Sequence, residues 1–202
     1  MQTSSTIKLI AALAIHIWTT SVFAHISLDI KAAPVASSYK AVFQVGHGCQ
    51  GQATTGVTVR IPAGFKEAKP MPKAGWTLAT THAALAAPYD SHGKRITDDV
   101  AVVSWTAASP AAALPDAQYD EFVLRGQLPD TAGPLWFAVQ QRCGAVVQEW
   151  ADIPPSGATS QRLKRPAAQL VVTPLGSVQP FTPVLAPNRL TAPAGSDHSA
   201  HR

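Results

Sequence analysis

Nine short runs rich in Val, Thr and aromatic residues recur along this chain, separated by Gly and Pro: Ile26–Ile30, Tyr39–Val45, Val57–Ile61, Trp76–Thr80, Val100–Thr106, Tyr119–Arg125, Leu135–Gln141, Val146–Ala151 and Gln169–Thr173. Runs of this length and composition read as strands. Turn signals lie between most of them: Gly46-His47-Gly48, Pro62-Ala63-Gly64, Lys73-Ala74-Gly75, Pro129-Asp130 and Gly133-Pro134. No segment keeps a long helical period with caps at its ends. The Ala-rich pieces 83–87 and 107–113 are short and interrupted or bounded by Pro. The pattern predicts an all-β chain folded as an antiparallel β-sandwich.

The first 24 residues are of another kind. Lys8 gives a positive start, Leu9 to Ile17 is mostly apolar, and Val22 and Ala24 are small residues at the −3 and −1 positions of a cleavage site. The apolar run is too short for a transmembrane helix, which needs about 20 apolar residues. Residues 1–24 are expected to be a signal peptide, and the mature protein to be periplasmic or secreted, with no membrane span. The alternative is a buried N-terminal helix. Residues 25–173 are expected to form one domain. Residues 174–202, rich in Pro, Ala, Thr and Ser, are expected to be a flexible tail that buries no core.

Cleavage after Ala24 makes His25 the first residue. The α-amine and the imidazole Nδ1 of an N-terminal histidine close a six-membered ring on one metal ion, and Cu(II) favours such nitrogen donors. The two cysteines, Cys49 and Cys143, are expected to form a disulfide in an oxidising compartment. A two-thiolate metal site, with His47 nearby, is the alternative. Once the leader is removed, Met71 is the only methionine, so a Met-rich Cu(I) site is excluded.

Loss of the leader takes away one base and no acid, leaving the charge one unit below the +4 of the whole chain. The bases are scattered; only Arg162, Lys164 and Arg165 cluster, in what reads as a solvated linker. Nucleic-acid binders carry a basic face or stripe, and no nucleic acid is expected as a partner. His82 and His92 flank what reads as a loop. His198 and His201 lie in the tail, where they are either weak metal donors or incidental.

An ordered set of motifs points further. His25-Ile26-Ser27-Leu28 opens it. Gly46-His47-Gly48-Cys49 follows, with Thr54-Thr55 and Val57-Thr58-Val59-Arg60-Ile61-Pro62. Then come Lys69-Pro70, Lys73-Ala74-Gly75-Trp76, Val103-Ser104-Trp105, Leu114-Pro115, Asp120-Glu121-Phe122, Gln140-Gln141-Arg142-Cys143 and Glu149-Trp150-Ala151-Asp152-Ile153-Pro154. Over residues 25–155 the chain resembles the YcnI-like family of exported copper-binding domains. The resemblance implies an immunoglobulin- or cupredoxin-like sandwich. It also implies a Cu(II) site in which His25 chelates through amine and ring, Glu121 completes the coordination, and Trp150 lies beside the metal. The cysteines match the family's disulfide. The spacing over Arg142 to Gln148 departs from the family pattern, which bears on Trp150 more than on His25.

Strand alternation can be set beside that implication. In Tyr119–Arg125, Glu121 shares a face with Tyr119 and Val123, while Asp120, Phe122 and Leu124 face the other way. If Phe122 and Leu124 enter the core, Glu121 faces water or a site. Asp120 is the ligand if the register slips by one residue, and His47 is a further candidate ligand. Trp150 taken alone reads as a core residue.

Two functional classes follow. One is a copper protein of copper homeostasis that buffers, sequesters or hands on Cu(II), with the copper ion and a copper-trafficking or membrane copper-transport protein as partners. The other is a copper-dependent oxidase or monooxygenase. Oxygen-activating braces take a second equatorial histidine, whereas here a carboxylate takes that place by resemblance. The chain also lacks a Ser-His-Asp order and a phosphate-binding glycine loop. The non-enzymatic class is preferred. A purely structural sandwich would require cleavage somewhere other than Ala24.

Overall fold

The computed structural model describes residues 25–155, 160 and 163–176. The expected leader and most of the expected tail, with His198 and His201, lie outside these residues, as does Arg162.

Eleven strands make up the described chain: β1 (Ser27–Leu28), β2 (Ala32–Pro34), β3 (Ser38–Val45), β4 (Gly56–Arg60), β5 (Lys66–Pro70), β6 (Trp76–Ser91), β7 (Lys94–Ala107), β8 (Asp120–Gln127), β9 (Gly133–Cys143), β10 (Val146–Trp150) and β11 (Ala168–Thr173). A 3-10 turn, Pro110–Ala112, lies between β7 and β8. The strands form two sheets. One has the order β1-β3-β8-β5. The other has the order β2-β11-β9-β4-β7-β6, with β10 also paired to β9. β9 is long enough to carry two partners on one edge: β11 along Gly133–Phe137 and β10 along Val139–Cys143. The expected all-β sandwich is the observed fold. Parallel pairing occurs between β2 and β11 and at the isolated bridge of Asp152 with Pro166.

Alternation builds the core. Phe43 and Val45 of β3 and Phe122 and Leu124 of β8 are fully buried on one inner face. Val57, Val59, Val103, Phe137 and Val139 oppose them from the second sheet. Phe137 takes edge contacts from Phe43 at 5.5 Å and Phe65 at 5.4 Å. Phe122 takes them from Trp105 at 5.7 Å and Trp76 at 4.9 Å. Such pairs add about 0.5–1.5 kcal/mol each beyond the area they bury.

Three segments differ from the sequence reading, one of them β2, a three-residue edge strand absent from the expected runs. The stretch between His82 and His92 is not a loop. β6 and β7 run on as a long hairpin, with Ser91 opposite Lys94 and a two-residue turn at His92 and Gly93. Both turn residues have positive φ, 47° and 74°, the backbone a tight hairpin turn of this length requires. The Ala-rich strand is exposed on both faces, so it carries no alternation to read. β5 was likewise absent from the expected strands. Its Lys-Glu-Ala-Lys-Pro sequence has low strand propensity, and a bulge with Glu67 at φ 54° shifts its register on β8. The hairpin reaches back to this bulge. Asp99 accepts from the Glu67 backbone N–H at 2.7 Å and from the Tyr89 hydroxyl at 2.6 Å.

Cys49 and Cys143 are joined in a disulfide. It ties the loop after β3 to the end of β9, across a sequence separation of 94. Beside it lies Gln141, a polar residue only 1% exposed at an inward position of β9. Its amide nitrogen donates to the His47 carbonyl and to Thr54 Oγ1, both at 2.8 Å. Its amide oxygen accepts from Trp150 Nε1 at 3.2 Å. The turn it holds is compact: a Cβ on Gly48 would lie 1.8 Å from the Gln52 carbonyl oxygen, so only glycine fits.

Two predictions follow from the fold. Gln141→Leu should destabilise the domain by about 1–3 kcal/mol for each buried group left unpaired, read by urea unfolding. Tyr39, whose hydroxyl donates to the Ile30 carbonyl, has its pKa pushed up to about 12 by burial and then by the charge of Asp29. The unfolded chain ionises at the ordinary tyrosine value of 10.0 while the folded chain stays neutral. Stability is therefore intact below pH 10.0 and falls as pH rises toward about 12. Tyr39→Phe should make that fall shallower in melts taken across this window.

Candidate metal centre

His25 lies two residues before β1, and Ile26 and Leu28, which follow it, are buried at 3% and 1% exposure. Alternation from these anchors turns His25 and Ser27 away from the core. The His25 ring, half-buried, packs against Trp150 at 5.7 Å between centroids and 89° between planes. Trp150 is itself only 3% exposed, and its N–H is held by Gln141. The histidine thus rests on an indole that the buried amide network fixes in place. A recess of about 230 Å³ opens beside it, lined by Ser27, Lys31, Ala168 and Gln169 among others.

Glu121 lies on the outer face of the four-stranded sheet. Ser27 pairs with Gln44, and Gln44 with Glu121, so the three form one row across β1, β3 and β8. Two strand spacings, about 9.6 Å, separate the ends of that row. Phe122 and Leu124 enter the core on the opposite face. The Glu121 carboxylate accepts from the Tyr119 hydroxyl at 2.5 Å. The Tyr119 pKa is pushed up to about 12 by lost hydration, then by this hydrogen bond and the Glu121 charge. Ser27 donates to Gln44 at 3.3 Å, and Gln44 donates to Asp29 at 3.3 Å. A polar row of Ser27, Gln44 and Glu121 therefore joins β1, the strand that follows His25, to the strand that carries Glu121.

The other candidate ligands are engaged elsewhere. Asp120 forms an ion pair with Lys73 at 2.6 Å and accepts from the Glu121 backbone N–H at 2.8 Å. His47 turns its Nδ1 against the Gly48 carbonyl, and its own carbonyl takes the Gln141 amide. His82 pairs with Asp98 on the exposed hairpin at 3.3 Å. The two cysteines are disulfide-bonded.

The structure brings His25 and Trp150 together and keeps Glu121 two strands away. No group of three His, Cys, Asp or Glu residues close enough to hold a metal occurs among the described residues. The donor set of a histidine brace does not require one, because a single residue supplies both nitrogens. Gln141 is the functional residue that sequence reasoning passed over. It appears there only as part of a motif, yet an amide at an inward strand position, in line with Phe137 and Val139, is itself a signal of a buried polar junction.

Comparison with known proteins agrees with the architecture. The fold is similar to a crystal structure of an uncharacterized protein from Nocardia farcinica described as having an immunoglobulin-like fold, with a TM-score of 0.55. The two are 22% identical, and the match covers 73% of this chain and 97% of that one. That likeness speaks to the fold alone. No curated protein matches the chain. The family described as a domain of unknown function, DUF1775, matches residues 25–172, a span that begins at His25 and takes in both sheets and the disulfide. The chain belongs to the DUF1775 family.

Proposed function

We propose that the mature chain is an exported, YcnI-like Cu(II)-binding protein that buffers, sequesters or hands on copper in the periplasm or at the cell surface, without catalysing a reaction. The observation that carries this reading is the seating of His25 against Trp150 at 5.7 Å. A residue that becomes a bidentate chelator on cleavage is lodged on a buried indole that Gln141 pins.

In this reading the His25 amine and ring nitrogen bind the ion. Glu121 gives up its hydrogen bond from Tyr119 to complete the coordination. Trp150 limits solvent access and presents its indole near the metal, the kind of surrounding that tunes a bound ion. Bound copper supplies a positive centre and a Cu(II)/Cu(I) couple. The nitrogen and carboxylate donors favour the Cu(II) side of it. Transfer to a copper-trafficking or membrane copper-transport partner would follow by ligand exchange at His25.

Three outcomes test this proposal. Mass spectrometry of the exported protein should give His25 as the first residue. Calorimetric titration of that form should show one tight Cu(II) site that an added N-terminal residue abolishes, because the amine becomes an amide. Tight one-to-one binding by the extended form would contradict it. Affinity should also fall as pH falls, since amine and imidazole bind only when deprotonated.

Glu121→Ala should weaken Cu(II) binding by about tenfold or more, the scale of one lost charged ligand, and should leave the melting temperature nearly unchanged. Chelator competition and a thermal melt measure the two effects.

A further inference from the structure

We propose a second binding surface, separate from the His25 end: a cationic row beside an apolar groove on the outer face of the four-stranded sheet, which captures an acidic, extended segment of a partner protein through alternating carboxylates and apolar side chains. Register defines it. Lys40 of β3 lies directly opposite Arg125 of β8, and Arg125 lies directly opposite Lys69 of β5. Three cations therefore stand side by side on three adjacent strands, about 4.8 Å from one to the next. Like charges directly opposite each other destabilise a sheet. Folding gains nothing from this arrangement, and an anionic ligand removes its cost.

The row is unneutralised among the described residues. Lys40 and Lys69 form no ion pair there, and Arg125 donates only to the neutral Ser38 hydroxyl at 3.2 Å. Lys66 of the same sheet is paired with Asp130 at 3.3 Å, and Lys73, just past β5, with Asp120 at 2.6 Å. The nearby Glu67 carboxylate is already taken by the Ser91 hydroxyl.

Two residues along the strands, the next row is apolar. Val42 pairs with Val123, and the Met71 N–H donates to the Val123 carbonyl at 2.8 Å, which sets Met71 beside it. Met71 is 51% exposed. Pro70, Met71 and Pro72 wall a groove of about 370 Å³ whose rim is Lys40, Lys69 and Arg125. Methionine adapts to varied apolar partners. The charge of the rim selects an acidic occupant, and the recess selects one with side chains to insert. A flat anionic bilayer satisfies the rim but cannot enter the groove, which favours a peptide segment over a membrane surface.

The test uses the full chain and a fluorescent peptide, Glu-Leu-Asp-Ile-Glu flanked by glycines, followed by anisotropy. The peptide should bind, more weakly as salt is raised, and its Gln/Asn counterpart should not. The triple change Lys40→Gln, Lys69→Gln, Arg125→Gln should cut peptide affinity by at least about tenfold, while raising the melting temperature as the repulsion is lifted. Met71→Asp, at an exposed position, should also weaken binding without altering the melt. Equal binding of the neutral peptide, no binding of either, or binding only to vesicles of phosphatidylcholine with phosphatidylserine would overturn the proposal. A triple variant that melts lower and binds the peptide as well as the parent would do the same.

Discussion

A buried amide, that of Gln141, holds together the end of the sandwich on which the functional reading depends. Its hydrogen bonds reach the His47 carbonyl in the turn after β3, Thr54 before β4, and the Trp150 indole at the end of β10. The adjacent disulfide fixes the same turn to β9 covalently. With its N–H satisfied inside the protein, the Trp150 ring has one preferred orientation, and the edge contact with His25 inherits it. Without Gln141 the indole would have to find water or another acceptor, and the surface beneath His25 would lose its definition. Hydrophobic burial makes the sandwich; the polar junction decides what His25 packs against.

Much of the fold was legible because strand alternation was intact where the core is dense. Phe43 and Val45, Phe122 and Leu124, and Phe137 and Val139 each recur at a spacing of two and each are buried. The segments that escaped lack that signal. β2 is a three-residue strand, Ala-Ala-Pro, at an edge. β5 is rich in lysine and broken by a bulge. The outer half of the β6–β7 hairpin buries neither face, so its alanines carry no pattern. In these places pairing with a neighbour, and not the local sequence, determines the strand.

The site divides in the same way. That Glu121 leaves the core follows from strand alternation once Phe122 and Leu124 face inward, and a one-sequence argument reaches that far. The approach of His25 to Trp150 is different. It joins residues 125 positions apart in the chain, one just before β1 and the other at the end of β10, and no periodicity encodes it; the family resemblance puts both near one metal, and the ring contact brings them together. Alternation places Tyr119 and Glu121 on one face, but it does not say which polar pairs on that face join, and the hydrogen bond between them is visible only in the structure. That bond gives Glu121 a partner already in place, which the metal ion proposed there would have to displace.

Pulsed electron paramagnetic resonance of the Cu(II)-loaded mature protein, with histidine nitrogens labelled by ¹⁵N, tests the central claim most directly. The account predicts coupling to one amine and one imidazole nitrogen of the same residue, with the spectrum lost in His25→Ala. A spectrum unchanged by that substitution, or one showing several imidazoles, would place the copper elsewhere and contradict it.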